Sequence, residues 1–355
     1  MSRGNIDAIL LVFMIGEQKP KLMLPRISLV LILFFFVACL YSTAAQVASN
    51  PSLVELVPID VDSQRPERQK FGALTLLSAF HLRSNDKRFG GLSGLSIGAD
   101  GKLYAVSDRG YWLSARMLVD ANGTVSNLID WRIAPMLTTK KRPVRGRSRD
   151  AEALAQTRDG SFLVAFEGVH RIWRYPPPPQ TFESTPSPVQ FPSAVSRPPS
   201  NSGVEALTVL ADGRILALTE GFENADGSFK GWLIDNGPSA ELSYVPANGF
   251  RVTDCAALEN GDVLILERRY VPFGILSARV TLVKADSLKP GARLAGKELL
   301  KLEQPLAAEN YEAIAAQRTP QGTIIFIVSD DNYGFFQQTL LLQFLLPITE
   351  HVNIR

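Results

Sequence analysis

Apolar and polar positions along this chain fall into short strand-sized runs set around Asp-Gly-type turns. The clearest unit is Asp150–Gly168, DAEALAQTRDGSFLVAFEG. Ala153-Leu154-Ala155 precedes Asp159-Gly160, and Phe162-Leu163-Val164-Ala165-Phe166 follows it. Asp-Gly between two such runs predicts a hairpin with a two-residue turn. Counting outward, Gln156 faces Leu163 and Glu152 faces Glu167, so two carboxylates meet at the open end. Like charges placed opposite one another in a sheet are destabilising unless compensated.

The unit recurs four times. Ser93–Asp108 folds about Asp100-Gly101, Glu205–Glu220 about Asp212-Gly213, Asp254–Glu267 about Asn260-Gly261, and Glu312–Asp331 about Gln321-Gly322. The first members are 59, 53, 49 and 58 residues apart. A strand-pair repeat of roughly 40–50 residues is the signature of a propeller, one repeat to a blade. The expected fold is all-β: a single propeller of four-stranded blades, five by preference and six if residues 46–92 supply another. Further strands are expected at His170–Tyr175, Lys230–Ile234, Leu242–Pro246, Ala278–Lys284 and Lys297–Leu302. Thr339–Leu346 reads as the third strand of the last repeat, which leaves Phe71–Leu82 to close the ring as its fourth. Leu53–Ile59 reads as an edge strand. The basic Leu137–Arg149 and the Pro- and Ser-rich Pro176–Ser200 read as loops between blades.

The N-terminus changes the picture. Arg26, the apolar run Ile27–Leu40 and the small residues Ser42–Ala45 read as an export signal spanning residues 1–45, with Met23 the expected start. The protein is then periplasmic or secreted. Phe36-Val37-Ala38-Cys39 offers the alternative of a lipoprotein anchored through Cys39. The remaining parts are an extension at 46–70, the propeller at 71–346 and a tail at 347–355. Cys255 is the one cysteine outside the signal, so no internal disulfide forms. A formal net charge of +2 gives no reason to expect nucleic acid, and the sequence gives no oligomeric state. His81, His170 and His351 do not cluster. Gly94-Leu95-Ser96-Ile97-Gly98 matches the G-x-S-x-G hydrolase pattern but lies in an expected strand, not at a strand–turn–helix elbow. Cys255 reads as a small apolar filler.

With the first strand of each repeat innermost, its first residue circles the channel mouth. Glu152, Glu205, Asp254 and Glu312 form one expected ring; Asp108, Glu167, Glu220, Glu267 and Asp331 form another, with Asp330 beside it. So much negative charge requires raised pKa values, Arg partners or a cation. Arg109, Arg149, Arg251, Arg268 and Arg269 are the candidate partners. All-oxygen donors suit Ca²⁺ or Mg²⁺. Glu152, Glu205, Glu312 and Arg149 are the expected catalytic residues, Arg109 and Arg268 the substrate-binding ones. Asp108, Asp254, Glu267, Asp330 and Asp331 are the expected metal ligands. The architectural alternative is that these carboxylates cap amides and tie blades together.

Gly90–Leu95, Ser107–Gly110, Asp150–Leu154, Val204–Leu207, Thr219–Gly221, Leu266–Arg268 and Asn310–Ile314 together resemble the exported phytase-like family, also called esterase-like activity of phytase. The resemblance covers about residues 70–346. It implies a β-propeller hydrolase of small-molecule phosphoesters or other esters, with Glu152, Glu205, Asp254, Glu267 and Glu312 at the family's repeated acidic positions. The alternative is a non-catalytic propeller that binds a ligand or partner in the cell envelope.

Overall fold

In this computed structural model, residues 53–192, 202–235, 239–271 and 275–348 are described. The signal run, Cys39 and His351 lie outside them. No helix among the described residues is long and apolar enough to cross a membrane.

The chain first lays down β1 (Glu55–Pro58), β2 (Lys70–Phe71) and β3 (Leu74–Arg83). Blade one is β4 (Leu92–Ile97), β5 (Lys102–Ser107), β6 (Tyr111–Val119) and β7 (Val125–Pro135). Blade two is β8 (Ala151–Gln156), β9 (Phe162–Phe166), β10 (Arg171–Tyr175) and the short β11 (Ser187–Pro188). Blade three is β12 (Val204–Val209), β13 (Ile215–Glu223), β14 (Phe229–Ile234) and β15 (Ala240–Tyr244). Blade four is β16 (Arg251–Ala257), β17 (Val263–Val271), β18 (Ile275–Val283) and β20 (Lys297–Glu303); the intervening β19 (Arg293–Leu294) lies parallel to β15. Blade five is β21 (Tyr311–Thr319), β22 (Gly322–Ser329) and β23 (Leu340–Pro347), completed by β3. The propeller therefore has five blades. A strand laid down before blade one finishes blade five, so the ring is closed by backbone hydrogen bonds between β23 and β3. β1 and β2 extend the outer edge of the same sheet.

Each inner strand packs on the next around the ring, with β21 returning to β4. Small residues at these positions, among them Gly94, Ala153, Ala206 and Ala313, permit that approach. The core is five apolar clusters, each shared by two neighbouring blades. Cys255 packs within the cluster between blades three and four. Gln343, fully buried in β23, locks the seam between the first and last blades. Its Oε1 accepts from Ser78 Oγ and from Val125 N, both at 2.9 Å, and its Nε2 donates to Gly123 O at 2.7 Å. Ser96 of the G-x-S-x-G match is in the middle of strand β4, not at an elbow.

The turn geometry departs from the two-residue expectation. Gln156 pairs with Phe162 and Ala155 with Leu163, one residue out from the expected register. Thr157 N donates to Ser161 O, and Gly160 N to Thr157 O, so the loop is three residues with Gly160 left-handed at φ 82°. Asp-Gly is compatible with this three-residue form as well as with the tighter turn. The same offset holds at Asp100-Gly101, Asp212-Gly213 and Asn260-Gly261. In blade five the turn residues are Pro320-Gln321, because Thr319 pairs with Gly322.

Candidate functional site

Every inner strand carries a β-bulge near its start. The residues left unpaired are Ser93, Glu152, Glu205, Thr253 and Glu312. A bulge breaks the strict in–out alternation and re-aims one side chain; here it does so at the mouth in all five blades. On or just past each second strand, one residue past the partner of the residue that precedes the bulge, stand Asp108, Glu167, Glu220, Arg268 and Asp330. Four of these are held alike: Asp108 N donates to Gly91 O, Glu167 N to Asp150 O, Glu220 N to Gly203 O and Asp330 N to Asn310 O, at 2.8–3.2 Å.

Blade four breaks the acidic pattern. Its bulge residue is Thr253, and its second-strand position is Arg268, not the Asp254 and Glu267 that the expected register placed there. A one-residue slip in pairing sends a strand side chain to the opposite face. Asp254 is instead fully buried between blades. Its Oδ1 accepts from Cys255 N at 2.8 Å and its Oδ2 from Ile314 N at 2.9 Å, tying blade four to blade five. Glu267, also fully buried, pairs with Arg279 on β18. Asp331 likewise acts as a tie: its Oδ1 accepts from Gly91 N and Tyr333 N at 3.1 and 3.0 Å.

Replacing Asp254 with alanine leaves two buried amide donors without acceptors, each worth about 1–3 kcal/mol. The expected loss is about 3 kcal/mol of unfolding free energy, read from a lower denaturant midpoint at unchanged slope, with any cation response of the protein preserved.

The mouth divides into two halves. On one side Arg268 neutralises acid from both neighbouring blades. Its guanidinium donates to Glu220 at 3.2 Å and to Glu312 and Asn310. On the other side stand Asp150, Glu152 and Glu167, which make no salt bridge to an arginine among the described residues. One oxygen from each lies within 4.8 Å of the others. Burial and the charges of Glu205, Asp150 and Glu312 push Glu152 well above the usual carboxylate range. Glu205 is raised in the same way by burial and by Glu167, Glu220 and Glu312. Burial lifts Glu312 to about 7 even with Arg268 opposing it, and lifts Asp330 to about 8. Asp108 rises to about 6, through burial and Asp150, although Arg109 and Arg149 pull it down.

Arg109 is half-buried and stacks on Tyr333, its guanidinium carbon 3.2 Å from the ring centre. Tyr333 Oη donates to Gly90 O at 2.9 Å, so the stack is fixed to the rim of blade one. Arg149 is exposed and ends a short 3₁₀ turn, Gly146–Ser148. Asp150 was not among the expected site residues. Its signal was available, since it precedes Glu152 by two positions at the head of a strand. Tyr333 and Asn310 gave no comparable signal, because their roles depend on blades distant in the chain.

Residues 87–333 match the family described as "Phytase-like: Esterase-like activity of phytase". The chain belongs to this phytase-like family. No curated protein matches the sequence. Several of the solved structures that this phytase-like chain is similar to share its fold at low identity. The PQQ-bound aldose sugar dehydrogenase of Streptomyces coelicolor is 13% identical, with TM-score 0.43, over 78% of this chain and 99% of that one. The Malassezia sympodialis allergen Mala s 1 is 14% identical, with TM-score 0.42, over 83% and 95%. A virginiamycin B lyase of Staphylococcus aureus is 10% identical, with TM-score 0.41, over 81% and 99%. At these identities the chemistry of those proteins does not carry over to the phytase-like mouth.

Proposed function

We propose that the mouth hydrolyses a small-molecule phosphoester or other ester, with a divalent cation, Ca²⁺, held by Asp150, Glu152 and Glu167, in an exported protein. The observation that carries this reading is the convergence of those three carboxylates. Ca²⁺ takes oxygen ligands at 2.3–2.6 Å, so two ligands of one ion lie within about 5 Å of each other; the oxygens here meet that limit. When bound, such an ion supplies a Lewis acid that polarises the ester oxygen.

The remaining residues divide by charge and proton affinity. Arg109 and Arg149 bracket Asp108 and offer positive charge to the acid group of a substrate. Arg268 is engaged by Glu220, Glu312 and Asn310, and so positions Glu312. Glu312, near 7, is ionised often enough at neutral pH to take a proton from an attacking water at its carboxylate. Asp330, near 8, keeps its proton there and can donate it to the departing alkoxide. Water attacks the phosphorus or carbonyl carbon, the ester bond to the alcohol breaks, and the two proton transfers balance.

The test is thermal unfolding of residues 46–355 with Ca²⁺ and with a chelator, followed by a screen of phosphoesters, carboxylic esters and lactones. At 100 times its dissociation constant the ion adds about 2.7 kcal/mol. The increment should be larger at pH 8 than at pH 5, because protons compete for the same raised carboxylates. A cation shift without turnover on any ester would support a binding propeller instead. The absence of a shift with every divalent ion tried would sink the cation reading.

A further inference from the structure

Seven large apolar side chains are exposed among the described residues, and five of them lie on the mouth face. Val169 is in the link from β9 to β10. Tyr270 and Val271 end β17. Phe335 and Phe336 are in the link from β22 to β23, 94% and 92% exposed, stacked edge to face with ring centres 5.4 Å apart. All five stand at or after the mouth ends of second strands. The other two, Val119 and Ile348, follow strands that run away from the mouth. Single exposed apolar residues are ordinary, but two stacked and almost fully exposed phenyl rings are an interaction feature.

The same face carries the link from β7 into β8. It holds Lys140, Lys141, Arg142, Arg145, Arg147 and Arg149, all exposed. Arg149 acts on Asp108; the other five make no ion pair with a carboxylate among the described residues. The link is ordered by its own backbone: Thr138 N donates to Arg142 O at 2.7 Å, Lys141 N to Thr138 O at 2.9 Å, and Val144 N to Met136 O at 2.9 Å. It is therefore a folded link, anchored by buried Val144, that presents basic side chains on a chain whose net charge is only +2.

Basic side chains on the same face as solvent-exposed aromatic rings have the composition of a surface that meets anionic lipid. The cations meet phosphate headgroups and the rings enter the acyl boundary. A soluble polyanion would engage the charge and leave the Phe pair without a role. We propose that the mouth face docks on an anionic bilayer surface, with Lys140, Lys141, Arg142, Arg145 and Arg147 on the headgroups and Phe335-Phe336 inserted from the same face.

The experiment is co-sedimentation of residues 46–355, which contain every strand of the ring, with vesicles. One set is phosphatidylcholine alone, and the other phosphatidylcholine with phosphatidylglycerol. Binding is expected only with the second set, weakened by added salt. The double variant Phe335→Ser/Phe336→Ser and the triple variant Lys140→Ser/Lys141→Ser/Arg142→Ser should each weaken it at least about tenfold. Both should leave the unfolding midpoint unchanged, since all five side chains are exposed. No sedimentation with anionic vesicles overturns the proposal, as does equal sedimentation with neutral ones. So does loss in the triple variant with none in the double, which would assign the surface to a soluble polyanion.

Discussion

Replacing Arg268 with leucine is expected to lower the unfolding free energy by about 3 kcal/mol at pH 8, and by about 1 kcal/mol or less at pH 5. Arg268 stands where the other blades place an acid, and Glu220 and Glu312 both bind it. All three side chains are largely buried, at 23%, 16% and 16% exposure, so water replaces little of the lost interaction. Removing one partner of such a set leaves uncompensated buried charge, which costs more than the set itself contributes. The pH dependence follows from the direction of the shifts. Glu312 already titrates near 7 in the folded protein, above its ordinary value of 4.5. A carboxyl with a raised folded pKa binds its proton more tightly folded than unfolded. Its stability contribution is fully present below the unfolded value and is lost as pH rises through the folded one. Without Arg268 the folded value rises further, so the penalty is concentrated above pH 7. Urea unfolding of both proteins at the two pH values measures it. Arg268→Lys should recover part of the loss, since it restores the charge but not the two-sided fork. An equal loss at both pH values would mean that the side chain acts through packing alone.

The second large effect concerns Glu152. Glu152→Gln is expected to abolish the stabilisation by Ca²⁺ and to lower turnover on any accepted ester by on the order of a thousandfold. In the cation-free protein the same change should raise the unfolding free energy at pH 8, because it removes one of the carboxylates that repel each other across the mouth. The two signs separate a ligand from a structural acid. A residue that merely supports the fold would destabilise the apoprotein when replaced. Asp254 supplies the contrast, since its carboxylate satisfies two amides and faces no solvent. Loss of stability in cation-free Glu152→Gln, with the cation response intact, would remove Glu152 from the proposed seat.

Much of this arrangement was legible along the chain. The spacing of five Asp-Gly-type turns between apolar runs specifies five hairpins, and a strand left over at each end of the repeats specifies how the ring closes. Those features are local, since turn chemistry and alternation act within about twenty residues. The acidic residues at the ends of the hairpins were legible too. Their exact membership was not, because Asp-Gly serves both a two-residue turn and a three-residue one, and the bulge at the head of each inner strand leaves no mark in the composition. The difference is one residue, and in a strand one residue decides which face a side chain takes.

For that reason only the tertiary structure placed Asp254 and Glu267 in the wall and Thr253 and Arg268 at the mouth. It alone brought Asp150 against Glu152 and Glu167, and set Tyr333 of the last blade beneath Arg109 of the first. By itself the sequence determined the kind of fold and the acidic residues at the hairpin ends, through short-range pattern. Which acids share one opening, and which of them an arginine neutralises, was decided by packing between blades up to 243 residues apart in the chain.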